Sequence, residues 1–586
     1  MQSDGAQRAE PLEAMNAALS KALDASEARA SELERKNHDL AAEHERLRKA
    51  YREVKAELEL LRRRIFVANA ERVDTSQLQL EFAQKLAELD LLSTPEATPP
   101  ANTDAEPPSK PASEPDTKPK PKPAGRRDIK ALPIPEERIV LTDPLLEGKA
   151  EVIGYEESAK LAWRRGGLVR VVIVRPKYKT ELEDGAVLID TAPLPREVFP
   201  RSLATVSLIA HVVSSKFCDG LPLYRQEDIY ARMGVKLDRG TMCRWVEDAG
   251  ATLGATIVEA MRIEAMAKAF CLATDATGIA VQPAPSSDKK RQACRRAHFF
   301  VIVADRDHVF FEYQARETSK VVSKMFRGFA GYIQADAKSV YDVLFLPPHE
   351  RPPPDDDDDD ENATPDTAVR YEVGCWAHAR RKFWEAAMAK NAVAREALAR
   401  IGRIFELDAE LSGRPPAAIK SARDARIRPQ VVAFFVWART EYEKVRGERG
   451  TLRSALGYAV RQEGALMRFL EDGRLKLENN RSERELRRVA VGRNAWLFVG
   501  DDDHGEAAGH NLSLVASARL HDLDPEVYVR DALRVLPFWP KDRYLELAPK
   551  YWKATRARLS TEELEAELGP LTVPPLEVPE EKKAQD

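Results

Sequence analysis

HFFVIVADRDHVFFEYQA, residues 298–315, decides the reading of the fold. Two runs of aromatic and β-branched residues flank Asp305-Arg306-Asp307, the pattern of two strands joined by a polar turn. On the N-terminal side, Ala269-Phe270-Cys271-Leu272-Ala273-Thr274 is a short apolar run ending at Asp275, and it reads as a strand with the aspartate at its end. On the C-terminal side, TSKVVSKMFRGFA (318–330) has the spacing of an amphipathic helix and GYIQADA (331–337) reads as a strand ending at Asp336. YEVGCWAHARRKFWEAAMAK (371–390) then predicts a strand running into a basic helix. This order predicts an α/β core on one mixed sheet. If its first and fourth strands are neighbours, Asp275 and Asp336 converge at one edge.

A third acid comes from Leu477–Phe498, LENNRSERELRRVAVGRNAWLF. Taken alone, Asn480 and Glu483 have capping-box spacing on a helix with a solvated, alternating-charge face. With the two aspartates, one glutamate of this helix, Glu478, Glu483 or Glu485, would complete a three-carboxylate set. Carboxylate oxygens suit Mg²⁺ or Mn²⁺, and a pair of such ions can serve the attacking and leaving oxygens of a phosphodiester. Arg487 and Arg493 on this helix, and Arg380, Arg381 and Lys382 on the basic helix, are candidate phosphate contacts. Walker and dinucleotide motifs are absent. Cys375 and His378 have C-x-x-H spacing without a second half, so zinc is not expected.

The chain has 586 residues, 43% hydrophobic and 32% charged, with a net charge of -4. That length exceeds one core and implies several units. The near-neutral balance leaves nucleic-acid binding to local charge. Five cysteines without a C-x-x-C pair fit a reducing cytoplasm, and no secretory h-region or long apolar run occurs. A soluble, cytoplasmic protein with no membrane partner is expected.

Toward the N-terminus, residues 8–90 are expected to form a coiled coil. Leu12, Leu19, Leu33, Leu40, Leu47, Val54 and Leu61 repeat every seventh residue, with Ser26 the gap. Such a seam predicts self-association into a homo-oligomer. Residues 91–131, rich in Pro, Lys and Glu, predict a disordered linker. A small β-rich unit follows at 132–200, around the strand LVRVVIVRPKY (168–178). Residues 201–265 turn helical. There LYRQEDIYARMGVKLDRGTMCRWVEDAG (223–250) predicts a helix, a turn at Gly234-Val235 and a second helix from about Arg239 to Asp248. That is helix-turn-helix spacing, with Arg239, Thr241 and Arg244 available to a DNA groove. The core then runs over 266–390, a helical insertion over 391–470, the helix with the third acid over 471–500, and a helical region with a frayed tail over 501–586.

Four ordered motifs resemble the transposases of the insertion sequence 66 family: ATDATGIAVQ (273–282), GYIQADAKSVYD (331–342), GCWAHARRKF (374–383) and ENNRSERELRRVAVGRNAWLF (478–498). LRRRIF (61–66), RPKYK (175–179) and HVVSSKFCDGLPLYRQE (211–227) extend the likeness over about 10–540. The resemblance implies a ribonuclease-H-like core whose Asp275, Asp336 and Glu483 bind two Mg²⁺ or Mn²⁺ ions. It implies cutting of DNA at the element's terminal repeats and joining to target DNA. The family has a zinc-binding cysteine cluster before RPKYK, whereas 140–174 here has no cysteine, so the β unit reads as a degenerate zinc finger. The first acid sits in A-T-D-A-T where the family has A-D-E-T-P. The alternative is therefore a catalytically impaired, DNA-binding or regulatory relative.

Overall fold

The computed structural model describes residues 132–576 except 165, 182–186, 283–292, 352–365 and 497, together with Ile129 and scattered helical positions between Lys21 and Ala50. The seam residues of the expected coiled coil, nearly all of the linker and the acidic run Asp355–Asp360 lie outside the described residues. The chain divides into two compact units. One is built from Pro115–Ala377, Pro415–Lys420 and Gln462–Asp586; the other contains His378–Arg414 and Ser421–Arg461. Among the described residues, no helix is long and apolar enough to cross a membrane.

The β-rich stretch is a four-stranded sheet of β1 (Glu136–Val140), β2 (Glu151–Arg164), β3 (Gly167–Glu181) and β4 (Val187–Thr191). β3 is central: β2 pairs along one flank, and β1 and then β4 along the other. Gly166 and Gly167, at φ +105° and +142°, make the turn between the long strands. Helices α1 (Val206–Phe217), α2 (Leu223–Arg232) and α3 (Arg239–Leu253) follow. Gly234 at φ +84° turns the chain between α2 and α3, and Asp238 caps α3 by accepting from the Gly240 N–H. The second helix does not end near Asp248. It continues through a π-turn (Gly254–Val258) into α4 (Glu259–Lys268), because Gly250 and Gly254 serve packing rather than termination.

The second sheet confirms the hairpin of 298–315. β5 (Cys271–Val281), β6 (Arg295–Ala304) and β7 (His308–Gln314) form an antiparallel meander, and Asp305 takes φ +50° in its turn. The expected helix at 318–330 is shorter, α5 (Ser319–Met325), opened by a Thr318 cap. β8 (Gly331–Gln334) and β9 (Arg370–Val373) add in parallel, giving the order β7-β6-β5-β8-β9. The helical stretch comprises α6 (Trp376–Met388), α7 (Ala392–Ala409), α8 (Arg428–Val445) and α9 (Thr451–Arg461). Inside the second unit Phe383, Phe434 and Phe435 are buried together, and buried Arg423 pairs with Asp408 at 2.8 Å.

Returning to the sheet, α10 (Asn480–Trp496) leads into β10 (Phe498–Val499), which pairs in parallel with the end of β5. α11 (Asp502–Leu520) is buried on nearly every side and covers the open edge of β7. Ser517 Oγ accepts from Val309 N at 3.0 Å and donates to its carbonyl at 3.1 Å, and Ser513 Oγ accepts from Phe311 N at 2.8 Å. Two serines one turn apart thus stand in for the missing strand. This close approach needs glycine. A Cβ on Gly509 would meet the Phe311 carbonyl at 2.5 Å, and one on Gly250 the Ala507 carbonyl at 2.2 Å. We expect Gly509→Ala to destabilise by about 1–3 kcal/mol in chemical denaturation. Gly464→Ala, with nothing within 4 Å of the new methyl, is the near-neutral control.

The expected frayed tail is instead packed structure through residue 576. Trp552 and Leu547 are buried, and the Tyr528 hydroxyl donates to the Leu547 carbonyl at 2.9 Å. The apolar residues there are widely spaced among charges, which hides the pattern. Glu264 on α4 ties this segment to the sheet. It accepts from Tyr551 Oη at 2.5 Å, His308 Nε2 at 2.9 Å and Lys268 Nζ at 3.2 Å. Burial alone would raise its pKa; the hydrogen bonds from Tyr551, His308 and Lys268 outweigh it and bring the pKa down to about 2. Burial lowers the His308 pKa, against the Glu264 hydrogen bond and charge, which raise it. A depressed carboxylate stabilises the fold above its unfolded pKa of about 4.3, and the contribution is lost as pH falls toward 2. In Glu264→Gln protein, the fall in Tm between pH 4.5 and pH 2.5 should therefore be smaller than in the wild type.

Candidate active site

Asp275 lies inside β5, not at its end, because pairing with β6 continues to Val281. Despite Gly278 the chain stays extended after Asp275, because β6 pairs with each residue through Val281. The other flank of β5 explains the opening there. β8 pairs with residues 271–273 and β10 with residues 280–281, leaving a gap between them. Asp275 stands in that gap. In the β5–β8 register Ala273 pairs with Gln334, and Asp275 and Asp336 each lie two residues further along their chains. Asp336 sits just past the end of β8. The neighbouring of β5 and β8 is thus observed, and their pairing ends two residues before each aspartate.

α10 closes the gap. Asn479, 1% exposed, donates through Nδ2 to the Thr274 carbonyl at 2.9 Å, and its backbone N–H points to Cys375 Sγ at 3.3 Å. At the other end of the helix, Arg493 Nη1 donates to the Gly278 carbonyl at 2.7 Å and to Thr277 Oγ1 at 3.1 Å. These two side chains pair with β5 carbonyls on either side of Asp275, where a strand is missing. The helix begins at Asn480, so Asn480 is its first residue rather than its cap. The Asn479 carbonyl accepts from Ser482 Oγ at 2.9 Å and from the Glu483 N–H at 3.3 Å. Glu483 therefore occupies the first turn, where the helix dipole favours a carboxylate.

A Glu483 carboxylate oxygen lies within 4.8 Å of Cys375 Sγ, just past β9. The three acids lie within β5, past the end of β8 and on the first turn of α10; among the described residues they are not gathered as a group within 4.8 Å. The donor set fits a hard divalent cation. The buried Tyr341 hydroxyl registers its field: burial raises the pKa first, and the charges of Asp275, Glu317 and Asp336 raise it further. Glu317 is itself held by Lys338 at 3.2 Å.

The basic residues divide. Arg487 is exposed, whereas Arg493 is committed to β5 rather than to a ligand. Arg481 donates to the Asp305 carbonyl at 2.8 Å and anchors α10 on the hairpin turn. In the helical unit Arg380 is 4% exposed, with its guanidinium 4.8 Å from the Phe405 ring centre. This corrects its expected role at the surface: Arg381 is exposed and Lys382 half-exposed, but Arg380 is core. Arg239 and Arg244 are exposed on the first turns of α3 with half-buried Thr241 between them, and Met242, Trp245 and Val246 face the core. Asn479 and Tyr341 have structural roles that sequence reading missed. The asparagine pair marked the place but gave no sign of which member was buried. Asn479→Ala should cost about 1–3 kcal/mol and lower any α10-dependent activity roughly tenfold, measured on folded protein.

A sequence profile of the Transposase IS66 family matches residues 201–507, more than half of the chain. The uncharacterized protein y4qI of Sinorhizobium fredii (strain NBRC 101917 / NGR234) is 28% identical over 411 residues, covering 69% of this chain and 72% of the relative. The uncharacterized protein y4jD of the same strain is 27% identical over 396 residues, covering 65% of this chain and 72% of the relative. The profile takes in α1–α3, the β5–β9 sheet, α10 and the first residues of α11.

Proposed function

The chain belongs to the IS66 transposase family, and from that premise we propose that Asp275, Asp336 and Glu483 form the site that cuts an element's DNA ends and joins them to target DNA. The observation that supports this reading is the parallel pairing of β5 with β8, which ends two residues before Asp275 and Asp336, together with the bridging of the following gap in β5 by α10. The strand order β7-β6-β5-β8-β9, with its antiparallel meander and two added parallel strands, supports a ribonuclease-H-like core. Asp275 and Asp336 would hold Mg²⁺ or Mn²⁺, with Glu483 completing the shell. A cation bound there would supply activation of water or a 3′-hydroxyl and stabilisation of the leaving oxygen. Around it, Asn479 and Arg493 hold α10 against β5 so that Glu483 keeps its place. Arg239, Thr241 and Arg244 are assigned to duplex DNA, and Arg487 to the backbone near the site.

The remaining assignments follow the same reading. The heptad repeat of residues 8–90 pairs protomers so that two DNA ends are held together, and the linker 91–131 gives them reach. The four-stranded unit stands where the family's zinc module is expected, without its cysteines. A nicking assay tests the proposal. Full-length protein is incubated with Mn²⁺ or Mg²⁺ and duplexes carrying the inverted repeats that flank the coding region. Metal-dependent nicks at the repeat ends and joined products are expected. Salt-sensitive binding without nicking would favour the regulatory alternative instead.

A further inference from the structure

A cavity of about 520 Å³ opens between the α1–α3 helices and the α10–α11 pair, within the range of small-ligand sites. Its walls are mainly apolar and include Phe217, Tyr224, Phe299 and Trp496. The Trp496 indole folds back over α10: a Cβ on Gly492 would meet its Nε1 at 2.7 Å. Two cations also line the cavity, Lys216 and Arg239. Among the described residues Lys216 has no carboxylate partner; its ammonium lies 5.2 Å from the Phe217 ring centre. Arg239 meets Glu227 at 2.9 Å in an exposed pair, the kind that contributes little and is readily exchanged. Glu247 lies on the same wall with His504, whose Nε2 is 3.2 Å from its carboxylate. A smaller recess of about 120 Å³ shares Lys216, Phe217 and Trp496 with the cavity and adds Arg488.

A purely apolar occupant would leave Lys216 buried beside it without a counter-charge, which is unfavourable. A nucleotide meets every feature: a flat base for the aromatic walls, a phosphate for the cations and amino groups for Glu247. We propose that this cavity holds one unstacked nucleotide from the end of the DNA substrate, its base against Trp496 and Tyr224 and its phosphate on Lys216 and Arg239. The inference rests on the reading of the chain as a DNA-cutting and DNA-joining enzyme. It adds a site for a single-stranded end next to the duplex-facing residues of α3. Unstacking is least costly at frayed or single-stranded termini, and base–aromatic stacking tolerates any sequence.

The test compares two duplexes of the flanking inverted repeat, one blunt and one with a three-nucleotide tail carrying 2-aminopurine. Both carry a distal dye for anisotropy and are titrated with full-length protein without divalent metal. The wild type should bind the tailed duplex more tightly and quench the 2-aminopurine. Trp496→Ala and Lys216→Met should each weaken tailed binding roughly tenfold while leaving blunt binding within about twofold, and Trp496→Phe should restore the quench. Binding of both duplexes with unchanged 2-aminopurine emission, and with no effect of either substitution, would overturn the nucleotide site alone. If the wild type bound neither duplex, the DNA reading would fall, and this site with it.

Discussion

Asp336→Asn protein is expected to bind element-end duplexes with wild-type affinity and salt dependence, yet to nick and join them about a thousandfold more slowly or not at all. The substitution keeps the side chain's size and removes its charge. Asp336 lies past the end of β8 and outside the ladder, so the sheet does not depend on it. What changes is the negative field that Asp275 and Asp336 share at the Tyr341 hydroxyl. Removing a ligand of a hard cation, or an equivalent electrostatic contact, costs on the order of 10²–10³ in rate or more. Asp275→Asn should behave alike, and the double variant should be no worse than either alone, because groups that act as a unit are not additive. Nicking rate and anisotropy, measured on the same preparations, separate catalysis from binding. Equal losses of both would point to a DNA-contacting role for Asp336 rather than a metal-binding one.

The second large effect discriminates two glutamates five residues apart. Glu483→Gln should reduce nicking about a hundredfold or more, whereas Glu478→Gln should stay within about threefold of wild type. Both side chains are half-buried, so exposure does not choose between them. Position on α10 does. Glu483 is in the first turn, its N–H bonded to the carbonyl of the same Asn479 whose side chain holds Thr274. It is therefore tied through one residue to the position next to Asp275. Glu478 precedes that anchor. A reversed pattern, with Glu478→Gln inactive and Glu483→Gln active, would move the third acid to the other side of Asn479.

Much of the fold around the proposed site was legible in the amino-acid order, and the failures have physical causes. The hairpin was readable because runs of aromatic and β-branched residues flank a polar turn at Asp305–Asp307, and β8 because glycine opens it and polar residues follow. The extent of β5 was not readable. Its middle is small and polar, and it stays extended because β6 pairs along its whole length. α3 ran past its expected end because Gly250 and Gly254 are fixed by the close passage of Ala507 and His510, contacts more than 250 residues away in sequence. Arginines were the least readable. Arg380, Arg381 and Arg493 look alike in a string, but one stacks in a core, one is solvated and one replaces a missing strand. A long aliphatic stem lets arginine serve in all three settings.

The central claim is that Asp275, Asp336 and Glu483 together hold the catalytic cations, and iron-directed self-cleavage tests it most directly. Full-length protein is loaded with Fe²⁺ in place of Mg²⁺, treated with ascorbate and peroxide, and its backbone cuts are mapped by mass spectrometry. Cuts clustered around Asp275, Asp336 and Glu483, suppressed by excess Mg²⁺ and absent in Asp336→Asn protein, are the predicted result. Cuts confined to the acidic run Asp355–Asp360, or no Mg²⁺-sensitive cutting at the three acids, would contradict it.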